Sequence, residues 1–105
     1  MHQTLIVARM EPGSAPHVAQ AFAESDRTDL PRLLGVTARS LFRFHDLYFH
    51  LIKSEVDVGP ALADLRDHPL FAGVSARLAD HVTPFDPGWR EPRDAMAHEF
   101  YRWSR

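Results

Sequence analysis

Between Arg39 and His50 the chain alternates side chains that can do chemistry with side chains that can only pack. Read as two strands joined by a two-residue turn at His45-Asp46, the stretch pairs Phe44 with Leu47, Phe42 with Phe49, Ser40 with Leu51 and Ala38 with Lys53. Leu41 then stands opposite His50, and Arg39 lies diagonally across from the histidine, about 7–8 Å away at Cα. A histidine exchanges protons near neutral pH, and a guanidinium holds a developing enolate or alkoxide. Arg43 and Tyr48 fall on the same side. The expectation is a proton-transfer pair, although two polar residues on a partly solvated sheet face fit the bare pattern as well.

Asp26 is the next candidate. With Glu24 and Asp29 it places negative charge near the C-terminal end of a helix, where the helix dipole disfavours it, and such a charge is kept for a ligand or an arginine partner unless it is simply a solvated turn. Ser25 stands beside it. His45 reads as a turn residue and His68, before Pro69, as part of a helix break. His17, His81 and His98 show no spacing that supports a metal site. Trp89, Phe100, Tyr101 and Trp103 are candidates for an aromatic pocket, with ordinary packing as the alternative. There is no glycine-rich phosphate loop and no Gly-x-Ser-x-Gly elbow, so nucleotide cofactors are not indicated.

Composition narrows the classes. A chain of 105 residues, 45% apolar and 25% charged, suits one domain spanning 1–105 with a single modest core. Its 12 basic and 14 acidic residues give a net charge of −2 without a basic run, which argues against nucleic acid and membrane surfaces. With no cysteine, disulfides and thiolate chemistry are excluded. The first ten residues are too short and too polar for a signal peptide or membrane span, so the cytoplasm is the expected compartment.

The elements that must position these residues follow from periodicity. QTLIVARM (3–10) reads as a strand ended by Glu11-Pro12-Gly13-Ser14. Ser14 is a candidate N-cap for a helix from about 15 into the high twenties, with Ala15, Val18, Ala19, Phe22 and Ala23 on one face and Pro31 limiting its continuation. Residues 35–44 and 47–54 form the hairpin. Helical spacing returns after Asp57 through Leu62 and Leu65, breaks at Asp67-His68-Pro69, where Asp67 is a candidate cap, and resumes with Leu70, Val74 and Leu78. Residues 83–94, rich in proline, read as loop, and AMAHEFYRW as a final strand. The order β-α-β-β-α-β predicts an α+β, ferredoxin-like split β-α-β sandwich with helices on one face. One hairpin face carries Ala38, Phe42, Phe44, Leu47, Phe49 and Leu51, too apolar for water; the other carries Arg39, Leu41, Arg43, Tyr48, His50 and Ile52. The face turned from the helices is therefore expected to be buried in a homodimer.

LFRFHDLYFHLI (41–52), HPLF (68–71), TPFDPGWREPRDA (83–95) and FYRW (100–103), with RMEP (9–12) and the DLP (29–31) ahead of GV (35–36), together resemble the small aromatic polyketide cyclases of the tetracenomycin F2 cyclase type. The resemblance runs over nearly the whole chain. It implies a dimeric α+β barrel of ferredoxin-like protomers that closes rings of a poly-β-ketone by aldol condensation and dehydration in type II polyketide biosynthesis, without metal or organic cofactor. The implied partners are an aromatic polyketide intermediate, free or on an acyl carrier protein, and other synthase components. It also implies His50 in proton transfer, Arg39 on the enolate or carbonyl oxygen and Asp26 in support; Ser25, Arg43, Tyr48 and Trp89 are the expected substrate-binding residues. Relatives can carry a histidine where this chain has Ser25. Two competing readings share the fold: a cofactor-independent monooxygenase of anthrone-like phenols, and a non-catalytic subunit that templates cyclisation.

Overall fold

The computed structural model describes residues 1–105, with every side chain except that of Pro92. Strand β1 (His2–Met10) is followed by a 3₁₀ turn (Pro12–Ser14) and helix α1 (Ala15–Ser25). A short helix α2 (Leu30–Leu34) leads into β2 (Val36–Phe44) and β3 (Leu47–Ser54). Helices α3 (Val58–Asp64) and α4 (Pro69–Ala79) precede β4 (Val82–Pro84). The strands form one sheet in the order β2-β3-β1-β4, and every pairing is antiparallel. This is the ferredoxin-like arrangement expected from the element order.

The hairpin takes the expected register, with Phe44 on Leu47, Phe42 on Phe49, Leu41 on His50 and Ala38 on Lys53. A bulge between Val36 and Ala38 adds one residue at its base. Because side chains alternate, that register puts Tyr48, His50 and Ile52 on the buried side facing the helices, and leaves Phe42 and Phe44 54% and 62% exposed on the other. The turn needs His45 at φ 56, and it is tied to the end of β1 by Met10 N–H donating to the Asp46 carbonyl at 2.8 Å and by Arg9 on the Asp46 carboxylate at 3.1 Å.

Several local expectations are corrected. In α1 the buried stripe is Val18, Ala21 and Phe22, while Ala19 and Ala23 are exposed, because contact with the sheet selects one edge of an alanine-rich helix. Ser14 makes no cap bond; it lies in the 3₁₀ turn and its hydroxyl meets His81 Nδ1 at 3.1 Å. Pro31 sits in the first turn of α2, where its missing N–H costs nothing, and Gly35 ends that helix at φ 73. His68, rather than Asp67, caps α4: Pro69 holds it extended and its Nδ1 accepts from Leu70 N–H at 3.1 Å. Thr83 and Pro84 are strand rather than loop, since β4 is an edge where a proline is tolerated. The final strand shrinks to a single bridge, Met96 to Ile6, with Ala97 N–H on the Leu5 carbonyl at 2.7 Å. After that, Phe100, Tyr101 and Trp103 find no strand partner and are exposed.

Two apolar clusters hold the layers together. One joins Ala8, Met10 and Tyr48 of the sheet to Val18 and Phe22 of α1. The other joins Leu30 and Leu34 of α2 to Val74 of α4. Between them the layers do not close completely, and a cavity remains.

Candidate active site

The cavity measures about 400 Å³ and lies between the sheet and the helices, within the range of small-molecule pockets. Its floor is sheet, with Ile6, Ala8, Tyr48, His50 and Ile52. Its roof is helix, with Phe22, Leu34, Leu62, Phe71 and Val74. Most of this wall is hydrocarbon, so polar groups that reach it act at reduced dielectric.

One end is polar. Arg39, from β2, is 13% exposed along its side chain and bonds on two sides. Its Nε and Nη2 donate to the Asp26 carboxylate at 3.1 and 2.8 Å, and its Nη1 donates to His50 Nε2 at 2.8 Å. Phe22 completes the corner: its ring centroid lies 4.7 Å below the guanidinium carbon and 4.9 Å from the His50 ring. Asp26 arrives there because α1 ends at Ser25, one residue short of it. The charge that the helix dipole disfavours is thus answered by an arginine thirteen residues later.

Electrostatics follow from this packing. Burial, and then the positive charge of Arg39, push the His50 pKa down to about 3, so the imidazole is neutral at physiological pH. Burial also pushes the Tyr48 phenol up, keeping it protonated. The Tyr48 and His50 rings meet edge to face at 6.2 Å.

The expected site residues divide. Arg39, His50, Tyr48, Ser25 and Trp89 all line the cavity. Asp26 does not; it holds Arg39 from outside. Arg43, on the same strand face, lies near the hairpin tip, is exposed, and donates weakly to the His45 carbonyl at 3.4 Å. Among the described residues no group of three or more His, Cys, Asp or Glu side chains converges as a metal site would require.

Some lining residues were not foreseen. Ser75, Thr83, Arg90 and Glu91 reach the cavity. Ser75 had a signal: Phe71, Val74, Ser75 and Leu78 share one face of α4, so a serine interrupts an apolar stripe. Arg90 and Glu91 had none, because they sit in the 85–95 loop between β4 and the Met96 bridge. That loop is shaped by Asp94, which accepts from the backbone N–H of Arg90 and Glu91 at 2.9 and 3.2 Å. It is anchored by Arg9 over the Phe85 ring at 4.4 Å and by Phe85 against Trp89 at 6.0 Å.

The same combination of fold and sequence recurs in known proteins. The family described as polyketide synthesis cyclase matches residues 2–104. Tetracenomycin F2 cyclase of Streptomyces glaucescens is 48% identical over 98% of this chain and 94% of its own, and polyketide synthase CurG of Streptomyces cyaneus is 47% identical over 100% and 99%. The solved structure of the S. glaucescens cyclase, described as a type II polyketide cyclase, superposes with a TM-score of 0.95 over 100% of this chain and 99% of its own. A structure from Nitrosomonas europaea named for antibiotic biosynthesis monooxygenases reaches a TM-score of 0.55 at 10% identity over 76% of this chain and 77% of its own, a likeness of fold alone. A match that spans the chain from β1 to the aromatic tail, joined to near-identical backbone geometry, makes this chain a member of the polyketide synthesis cyclase family.

Proposed function

We propose that this protein is a type II polyketide cyclase that closes a ring of an aromatic polyketide intermediate by intramolecular aldol condensation and dehydration. The observation that carries the reading is the apolar cavity of about 400 Å³ with one polar, hydrogen-bonding end formed by Arg39 and His50 and held from outside by Asp26. A poly-β-ketone is a flexible chain of carbonyls whose intervening methylenes enolise readily, so its main difficulty is choosing one fold among many. A hydrocarbon wall restricts that choice and excludes bulk water, while the polar end marks where a carbonyl oxygen gathers negative charge.

In this scheme Arg39 holds the enolate oxygen, His50 binds the oxygen of the attacked carbonyl, and Asp26 is a positioning residue that holds the guanidinium. Ser25, Tyr48 and Trp89 contact substrate; Tyr48 is a protonated donor and Trp89 an aromatic surface. The substrate arrives free or on an acyl carrier protein. The apolar outer face of Phe42, Phe44, Phe49 and Leu51 supports a homodimer of single-domain protomers, with the exposed Phe100, Tyr101 and Trp103 of the tail as further apolar surface.

The test is reconstitution. The purified protein is added to a minimal polyketide synthase with its early ring-forming partners, and products are compared by mass spectrometry and ultraviolet absorption. One additional fused ring at the expense of shunt products is the expected result. An unchanged profile, with oxygen consumed on a phenolic polycycle, would replace the cyclase reading with a monooxygenase.

A further inference from the structure

We infer that His50 acts in the cavity as a neutral hydrogen-bond donor through Nδ1–H, its tautomer set by Arg39, and not as a carrier of protons. This rests on the cyclase reading for its chemistry but on geometry for the state of the ring. A guanidinium has no acceptor. The 2.8 Å contact between Arg39 Nη1 and His50 Nε2 therefore occupies the Nε2 lone pair and leaves the ring's one proton on Nδ1. An imidazolium would set two donors against each other at that distance. Turning the ring over would put a carbon against the guanidinium and lose the bond.

Arg39 is not free to swing away. Its other edge is held by three contacts to Asp26, from 2.8 to 3.2 Å, and its plane rests on Phe22. Nδ1 makes no hydrogen bond to protein, and since among the described residues no fully enclosed side-chain nitrogen or oxygen lacks a partner, it keeps an exposed surface on a residue that lines the cavity. The groups around the ring favour the neutral form. Arg39 faces it from β2, Tyr48 from β3 and Phe22 from α1, and its partners on the flanking strands, Ile6 and Leu41, are apolar. Asp26 neutralises Arg39 without touching the imidazole, and Arg90 and Glu91 enter the same cavity from the loop with opposite charges. The pKa of about 3 produced by burial and Arg39 agrees with this arrangement.

As the enolate carbon attacks, a carbon–carbon bond forms and the electrophilic carbonyl becomes an alkoxide. His50 Nδ1–H donates to that oxygen as its charge grows. The methylene proton leaves to water and a water proton returns to the alkoxide, so His50 begins and ends neutral. An uncharged imidazole serves as an electrophile of this kind in other enzymes.

The experiment is ¹⁵N NMR of the full-length labelled protein, reading the ring nitrogens of His50 from pH 8 to pH 5, beside the cyclisation rates of His50→Gln and His50→Ala. The expected spectrum has a protonated Nδ1, a bare Nε2 and no titration in that range. The expected rates have His50→Gln within about tenfold of the parent, since its amide oxygen accepts from Arg39 and its N–H is left to donate, and His50→Ala reduced by about 10²–10³. A protonated Nε2, a midpoint near the ordinary value for histidine, or a glutamine variant as slow as the alanine one would each overturn the donor role. The spectrum needs no substrate, so it decides the state of His50 even if cyclisation is not found.

Discussion

Arg39 Nη2 lies 2.8 Å from Asp26 Oδ1, joining the end of the first helix to the middle of an edge strand, and the same guanidinium reaches the buried His50 with its remaining amino group. One side chain thus connects an exposed carboxylate to a buried imidazole and sets the geometry of both.

Asp26→Asn keeps the shape but removes the charge, and because the carboxylate is partly open to solvent its loss costs about 1 kcal/mol of stability. Cyclisation is expected to slow about tenfold as Arg39 loosens. Arg39→Lys is more severe, about 10²–10³, because an ammonium cannot present a planar edge to Asp26 and a further donor to His50 together. Rates and urea midpoints of the two variants check both expectations.

Stability in acid follows from His50. In the unfolded chain its pKa is about 6.5, while in the folded protein it falls to about 3. Between those values the unfolded chain binds a proton that the folded one does not. The contribution of this residue is therefore complete above pH 6.5 and is lost as pH falls toward 3, at up to about 1.4 kcal/mol per pH unit. Urea unfolding at pH 7 and pH 5 measures the loss, and His50→Gln is expected to flatten it.

Paired substitution of Phe42→Asp and Phe44→Asp places charge on the apolar outer face without entering the cavity. Sedimentation is expected to show a dimer for the parent and a monomer for the double variant. A parent that sediments as a monomer at micromolar concentration refutes the homodimer.

His45 is the one non-glycine residue at positive φ among those described. His45→Gly removes the clash of its Cβ and is expected to raise stability by about 1 kcal/mol, whereas His45→Val, branched at Cβ, lowers it. Thermal midpoints decide the sign, and activity is expected to be unchanged because the turn lies away from the cavity.

Trp89→Ala opens the loop side of the cavity. Less of the substrate is then held in one fold, so the expected result is a larger share of shunt products with a smaller change in total turnover. Product ratios by chromatography report it.

The sheet and its register were legible because both rest on local rules. A two-residue turn at His45-Asp46 forces the pairing of every residue from Ala38 to Lys53, and alternation then assigns each side chain to a face. Helix boundaries were legible where a proline enforced them, at Pro69, and poorly legible in α1, where alanines suit either face, and the short α2 ending at Gly35 was not foreseen. The aromatic tail misled because alternation alone does not supply a neighbouring strand; β4 and Met96 already occupy that edge of β1.

By itself, then, the amino-acid sequence determined the fold class, the two faces of the hairpin and the shared face of Arg39 and His50, since these depend on neighbours along the chain or across a tight turn. Tertiary structure decided which face turns inward, that Asp26 binds Arg39 from outside the cavity, and that His50 is buried, with its pKa lowered and its Nε2 engaged by Arg39. Those outcomes depend on helix packing, burial and the length of one arginine side chain, quantities that exist only once distant segments have met.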